Sequence, residues 1–262
     1  MLEVKNLKKR FDDLVVFDDF SLSVPRGAFT ILVGPSGCGK STFFDVLTGA
    51  VDKDCGEISW LGEPCSHLGG RAAYMQQKDL LLPWLSLIEN ALLPARIAGE
   101  NRADACKKAA MLFRRLGLEE FEGYLPQKVS GGMRQRCALV RTLMFQHELV
   151  LLDEPLSALD AITRRSLQSI LLLLQSEFGK TLLMITHDVE EALLLADEVV
   201  VLTSFPMRVR ERFALKTQKP RKGSDAALLR IKEYVLEVLQ GESLNGVLYG
   251  SGQKAGEKKE RQ

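Results

Sequence analysis

Through the first 33 positions, Leu, Val and Phe alternate with polar residues in LEVKNL and, after a turn at Asp12–Asp13, in VVFDDFSLSV. The pattern then breaks into the unbroken apolar run FTILV. Alternation predicts strands with one wet face, and the unbroken run predicts a strand buried on both faces. FTILV stops at GPSGCGK, after which STFFDVLT reads as a helix closed by Gly49. Residues 50–75 predict further short strands and turns, ending in RAAYM. From Leu87 to about Gly117 the spacing is helical, and a second helix follows Ser130 through MRQRCALVRTLMF. ELVLLDEP, TLLMITHD and DEVVVLTS then read as strands, with SLQSILLLLQSEFG and EEALLLAD as the helices between them. That alternation predicts an α/β fold with a mainly parallel sheet.

Beyond Phe205 the pattern changes. RVRERFALKTQKPRKG is basic and irregular, AALLRIKEYVLEVLQG predicts an amphipathic helix, and GSGQKAGEKKERQ predicts a disordered tail. The expected organisation is a domain over 1–205, with a helical subdomain over about 87–145. A basic extension with a helix (206–243) and a disordered tail (244–262) follow.

Composition narrows the class. Of 262 residues, 46% are hydrophobic and 26% charged, which excludes wholesale disorder. A net charge of +1 gives no sign of a nucleic-acid coat. Five scattered cysteines without a CxxC pair argue against a disulfide framework or zinc site and fit a reducing compartment. MLEVKNLKKRFDD has no apolar stretch of a secretory leader, and no run is long and clean enough to span a bilayer.

Three motifs carry chemistry. GPSGCGKST (Gly34, Pro35, Ser36, Gly37, Cys38, Gly39, Lys40, Ser41, Thr42) follows a buried strand and opens a helix. Its glycines let backbone N–H groups turn toward phosphate oxygens, Lys40 reaches the β- and γ-phosphates, and the Ser41 hydroxyl ligates Mg²⁺. ELVLLDEP delivers Asp153 to the Mg²⁺ shell, while Glu154 points elsewhere and can act as general base on water. VSGGMRQR places a hydroxyl and two glycines at a helix start, a second anion-binding nest.

Taken in order, these motifs resemble those of the ATP-binding subunits of ABC transporters, over roughly residues 1–205. GPSGCGKST resembles Walker A, SGGMRQR the family signature and LVLLDEP Walker B. SALD (157–160), with Asp160, resembles the D-loop, and ITHD (185–188) the switch histidine, His187. Phe11 stands where the family carries an aromatic that stacks on adenine, with Phe17 and Phe20 as competitors. Aligning QKDLLLPW to the Q-loop selects Gln77, with Gln76 as its competitor in a place the family often gives to an aromatic. Val129 stands where leucine is usual in the signature. Cys38 occupies a variable position of the phosphate loop; a small tolerated side chain is the better reading than a reactive thiol.

The resemblance implies a phosphate-loop NTPase of the ABC cassette type, with an N-terminal antiparallel β-subdomain and a helical subdomain. It implies hydrolysis of ATP, with Mg²⁺ held by Ser41, Gln77 and, through water, Asp153, Glu154 orienting the attacking water, and Lys40 and His187 on the γ-phosphoryl oxygens. Ser130, Gly131 and Gly132 would complete the ATP site of a second ATP-binding subunit, most simply in a homodimer. LLPW and KPRKGSDAALLRIKEYVLEVL resemble the nitrate, sulfonate and taurine importer branch, which includes importers of thiamine pyrimidine precursors. The expected partners are transmembrane permease subunits and, indirectly, a solute-binding protein, with no nucleic acid. The expected place is peripheral, on the cytoplasmic face of the inner membrane. The apolar LLLPWLSL run reads as partly buried and partly a groove for a membrane partner. The alternatives are a DNA-repair or chromosome-maintenance ATPase, disfavoured because no heptads lie between the Walker motifs, and a soluble ATP-dependent regulator.

Overall fold

The computed structural model describes residues 1–157 and 159–256, with side chains described up to residue 241. In chain order the first elements are β1 (Leu2–Phe11), β2 (Leu14–Val24), β3 (Phe29–Val33), α1 (Lys40–Thr48), β4 (Cys55–Trp60), β5 (Glu63–Cys65) and β6 (Ala72–Met75). Helices α2 (Leu87–Ile97), α3 (Arg102–Arg115) and α4 (Gly131–Met144) follow, then β7 (Leu149–Asp153), α5 (Ala161–Ser176) and β8 (Thr181–Thr186). The chain continues with α6 (Val189–Leu195), β9 (Glu198–Leu202), β10 (Val209–Ala214) and α7 (Ala226–Gly256). Two compact units divide it: Met1–Leu68 with the chain from Ile185 onward, and Gly69–Met184.

In the first unit, β2-β1-β4-β5 form an antiparallel sheet. Its register sets Leu2 opposite Val24 and Trp60, and Val4 opposite Leu22 and Ile58, so one face gathers the apolar positions that alternation predicts. Phe17, Phe20 and Phe43 form a buried cluster, with Phe20 and Phe43 ring centroids 5.0 Å apart in an edge-on arrangement. All five residues of β3 are buried, and the strand pairs in parallel with β9 from Thr30–Glu198 to Val33–Val201.

The stretch expected to be irregular after Phe205 contains β10, antiparallel to β9. VRERFA alternates half-buried and exposed positions, so Arg210 and Arg212 line the wet side of the strand instead of marking a loop. The following basic residues also have internal partners. Arg221 is buried, and its guanidinium donates to the carbonyls of Leu193 (2.9 Å), Ala196 (2.6 Å), Leu215 (3.0 Å) and Thr217 (2.9 Å). It thereby caps the C-terminal end of α6, where carbonyls lack helical partners. Lys219 pairs with Asp197 at 2.6 Å, and Lys232 of α7 pairs with Glu190 of α6 at 2.6 Å. Helix α7 continues past residue 243 to Gly256, beyond the point where a disordered tail is expected. Apolar positions recur there at Leu244, Val247 and Leu248. The part of the expected tail over 257–262 lies outside the described residues.

In the second unit, β6 and β7 pair in parallel from Ala72–Leu149 to Met75–Leu152. Helix α4 packs on α2 and α3. Ser86 and Glu89 form a reciprocal capping box at the start of α2. One turn further, the fully buried Asn90 amide clasps the preceding loop. Its oxygen accepts from Leu82 N (2.7 Å), and its nitrogen donates to the carbonyls of Leu82, Leu85 and Ser86.

Candidate nucleotide site

The first unit supplies the phosphate loop, which leaves β3 at Gly34 and enters α1 at Lys40. Gly37 and Gly39 adopt φ +77° and +108°. A Cβ on Gly39 would lie 2.5 Å from Val16 Cγ1, so only glycine fits there. Gly39 caps α1 without any side-chain hydrogen bond. The first-turn N–H groups therefore have no side-chain acceptor at the cap, the arrangement that suits an anion. The Lys40 stem is buried, and Nζ donates to the carbonyls of Gly34 (2.8 Å) and Pro35 (2.7 Å). Ser41 is exposed beside it. Cys38 is 2% exposed, and burial pushes its thiol pKa up despite the neighbouring Lys40. The small-side-chain reading of Cys38 fits this burial.

His187 is exposed at the end of β8. The turn behind it is tied by hydrogen bonds. Asp188 accepts from Glu190 N (2.8 Å) and Glu191 N (3.2 Å) as the N-cap of α6. Thr186 Oγ1 accepts from Asp188 N (3.1 Å) and donates to the buried Glu191 carboxylate (3.0 Å). Phe11 ends β1 and is 44% exposed as a residue, and Lys9 Nζ lies 4.9 Å from the ring centroid. Phe17 and Phe20 are core residues, so Phe11 is the exposed one of the three.

In the second unit, β7 buries all five of its residues and ends at Asp153, which is 2% exposed. Glu154 follows with φ +48°, a conformation that costs a non-glycine residue energy and persists only where the surroundings hold it. They do so here. Its carbonyl accepts from Ser157 N (3.3 Å), Ser157 Oγ (3.0 Å) and Gln135 Nε2 (3.2 Å). Gln77 Nε2 donates to its carboxylate at 3.2 Å. Of the two adjacent glutamines, Gln77 makes this contact.

Ser130 caps α4 by accepting from Met133 N (3.3 Å), with Gly131 and Gly132 as the first helical residues. Asp160 caps α5 by accepting from Ile162 N and Thr163 N. These backbone hydrogen bonds, that from Thr163 first, lower its carboxyl pKa. Ala158 of the SALD segment lies outside the described residues.

Sequence reasoning missed the residues that fix this second half. Arg134 pairs with Asp79 at 2.9 Å, and Arg141 donates to the carbonyls of Leu80 (2.8 Å) and Asp79 (2.7 Å). Gln135, 4% exposed, reaches Glu154 from the same helix. The available signal was the i, i+7 spacing of Arg134 and Arg141, which puts both on one face of α4.

The ABC transporter family model matches residues 17–157, more than half of the chain. The chain belongs to the ABC transporter family. Its ABC relatives include the taurine import ATP-binding protein TauB of Escherichia coli K12, 35% identical over 245 residues. That match covers 90% of this chain and 96% of the relative. TauB of Pseudomonas aeruginosa UCBPP-PA14 is 38% identical over 207 residues, 79% of each chain. Among solved ABC structures, a post-hydrolysis dimer of the cassette MJ0796 bound to ADP and Pi superposes with a TM-score of 0.75 at 26% identity. It covers 83% of this chain and 100% of that one. A second dimeric structure of MJ0796, a bacterial ABC transporter cassette, gives 0.77 at 25% identity, with the same coverage. The chain is thus an ABC-type ATPase subunit with the cassette fold that its motifs imply.

Proposed function

We propose that this chain powers import of a small organic solute of the taurine and sulfonate class through separate permease subunits. In this reading it works as a homodimer on the cytoplasmic face of the inner membrane, where a solute-binding protein delivers the cargo to the permease. The names of the TauB relatives support the solute class, and the dimeric MJ0796 structures support pairing.

The reaction is ATP plus water to ADP and phosphate. Backbone N–H groups of Gly34–Thr42 cradle the phosphates, Phe11 stacks on adenine, and Lys40 and His187 stabilise charge on the γ-phosphoryl oxygens. Ser41, Asp153 and Gln77 offer a hydroxyl, a carboxylate and an amide oxygen, the hard donors that Mg²⁺ selects. Gln77 turns its nitrogen to Glu154 and so leaves its oxygen end for a cation. When bound, Mg²⁺ neutralises phosphate charge. Glu154 takes a proton from the attacking water. Ser130, Gly131 and Gly132 face the partner protomer's ATP, and Asp160 belongs to the loop that meets the partner.

The observation that carries the reading is the Glu154 turn. A strained backbone held by three donors, and a carboxylate oriented by Gln77, is the geometry of a positioned base. Glu154→Gln should keep ATP binding, lose about 10²–10⁴-fold in turnover and accumulate an ATP-bound dimer. Steady-state hydrolysis near wild type would remove Glu154 from the base role.

A further inference from the structure

A cavity of about 380 Å³ opens in the second unit, and among the described motif residues only Val150, in the buried strand of LVLLDEP, lines it. Its floor is apolar, built by Leu112 of α3, Val150 of β7, and Ile170 and Leu174 of α5, with Phe178 as an exposed wall. Its rim carries Lys108, Arg115 and Lys180, and among the described residues no carboxylate lines it.

Two of these cations converge. Lys108 Nζ donates to Met144 O (3.4 Å), and Lys180 Nζ donates to His147 O (2.7 Å) and Gln146 O (3.5 Å), so both ammonium groups sit on the short stretch Met144–His147 that ends α4. Burial lowers the pKa of each, and the charge of Lys108 lowers that of Lys180 further. Glu100 and Glu148 act on them in the opposite sense, but desolvation is the larger effect at both. Two partly desolvated like charges with only carbonyl acceptors repel one another, and an anion between them would remove that penalty. An apolar floor beneath such a pair fits an amphiphile with a single anionic head. At about 30 Å³ for each water-sized group, the cavity holds roughly a dozen heavy atoms, the size of decanoate.

We propose that this cavity binds a free medium-chain aliphatic carboxylate, its tail on the Leu112–Val150–Ile170–Leu174 floor and its head between Lys108 and Lys180.

Calorimetric titration of the full chain with hexanoate, octanoate and decanoate tests it. Each added methylene should tighten binding about fourfold, the equivalent of about 0.8 kcal/mol for a buried CH₂. Decanol should bind at least tenfold more weakly than decanoate, decyltrimethylammonium should not bind, and saturating ADP should leave the decanoate Kd unchanged. Lys108→Gln combined with Lys180→Gln should weaken decanoate at least tenfold, and Phe178→Ala, at an exposed wall, should weaken it several-fold. The head-group series on the unaltered chain stands even where a variant fails to fold. Absence of saturable binding would overturn the proposal. So would decanol binding as well as decanoate, displacement by ADP, or a folded double lysine variant that binds normally.

Discussion

Arg134 holds the Asp79 carboxylate at 2.9 Å, and so ties the helix that begins at Ser130 to the segment that carries Gln77. Arg141, on the same face of α4, takes the carbonyls of Asp79 and Leu80. Three hydrogen-bonding groups of one short segment are thus gripped by two arginines. A displacement of Gln77 must move the helix start or break these bonds.

Asp79→Asn and Arg134→Gln should each lower kcat several-fold, and the double variant should lose no more than the worse single. Both side chains are about a third exposed, so stability should change by only about 1 kcal/mol or less. A double-mutant cycle in kcat decides the matter. Multiplicative losses would show that the two residues act separately.

Shared sites predict complementation. Ser130→Arg should abolish hydrolysis alone, yet a mixture with a Lys40→Ala chain should regain part of it. One ATP site of the heterodimer then carries both defects, and the other carries neither. Confirmed heterodimers without any recovered activity would argue against head-to-tail sharing.

Trp84 is 70% exposed and Leu80 51%, whereas Leu81 and Leu87 are buried. The apolar loop is thus divided between core and surface. Trp84→Ala should shift the melting temperature of the isolated subunit by only about 2 °C, since exposed substitutions cost within about 0.5 kcal/mol. It should weaken co-purification with the permease. A large drop in melting temperature would place the ring in the core after all.

Cys137 is fully buried, its thiol donating to Leu87 O at 3.3 Å, and burial pushes its pKa up to about 12 from 9.0. Above pH 9 the unfolded chain releases this proton and the folded chain keeps it, so the unfolded state binds fewer protons. Stability should therefore fall between pH 9 and 12, by at most about 1.4 kcal/mol per pH unit from this group. Cys137→Ala should flatten that limb in urea melts taken across the range. An unchanged slope would mean that other groups control it.

Much of this architecture is legible from the sequence because burial leaves a direct trace. FTILV and LVLLD read as central strands since both their faces are apolar. Ser130 reads as a helix start because a hydroxyl there satisfies an orphan N–H. β10 escaped because Arg210 and Arg212 face outward, and their charge masks a strand alternation. The start of α5 at Ala161 lies before the apolar run because its first turn is exposed, with Ile162 84% accessible. Pairings such as Arg134–Asp79 and Arg221–Leu193 join residues far apart in the chain, and no local pattern reports them.

The Arg221 clamp and the β3–β9 pairing can form only late in synthesis. Asp197 accepts a hydrogen bond from Phe29 N across 168 positions, and the whole of Gly69–Met184 lies between the two parts of the first unit. At about 5–20 residues per second, the strand that leads into the phosphate loop waits roughly 10–30 s for its parallel neighbour to leave the ribosome. During that interval its five buried residues have no native partner on the β9 side, while the whole of the inserted unit is synthesised. The nucleotide loop is thus among the first segments made and among the last to be completed.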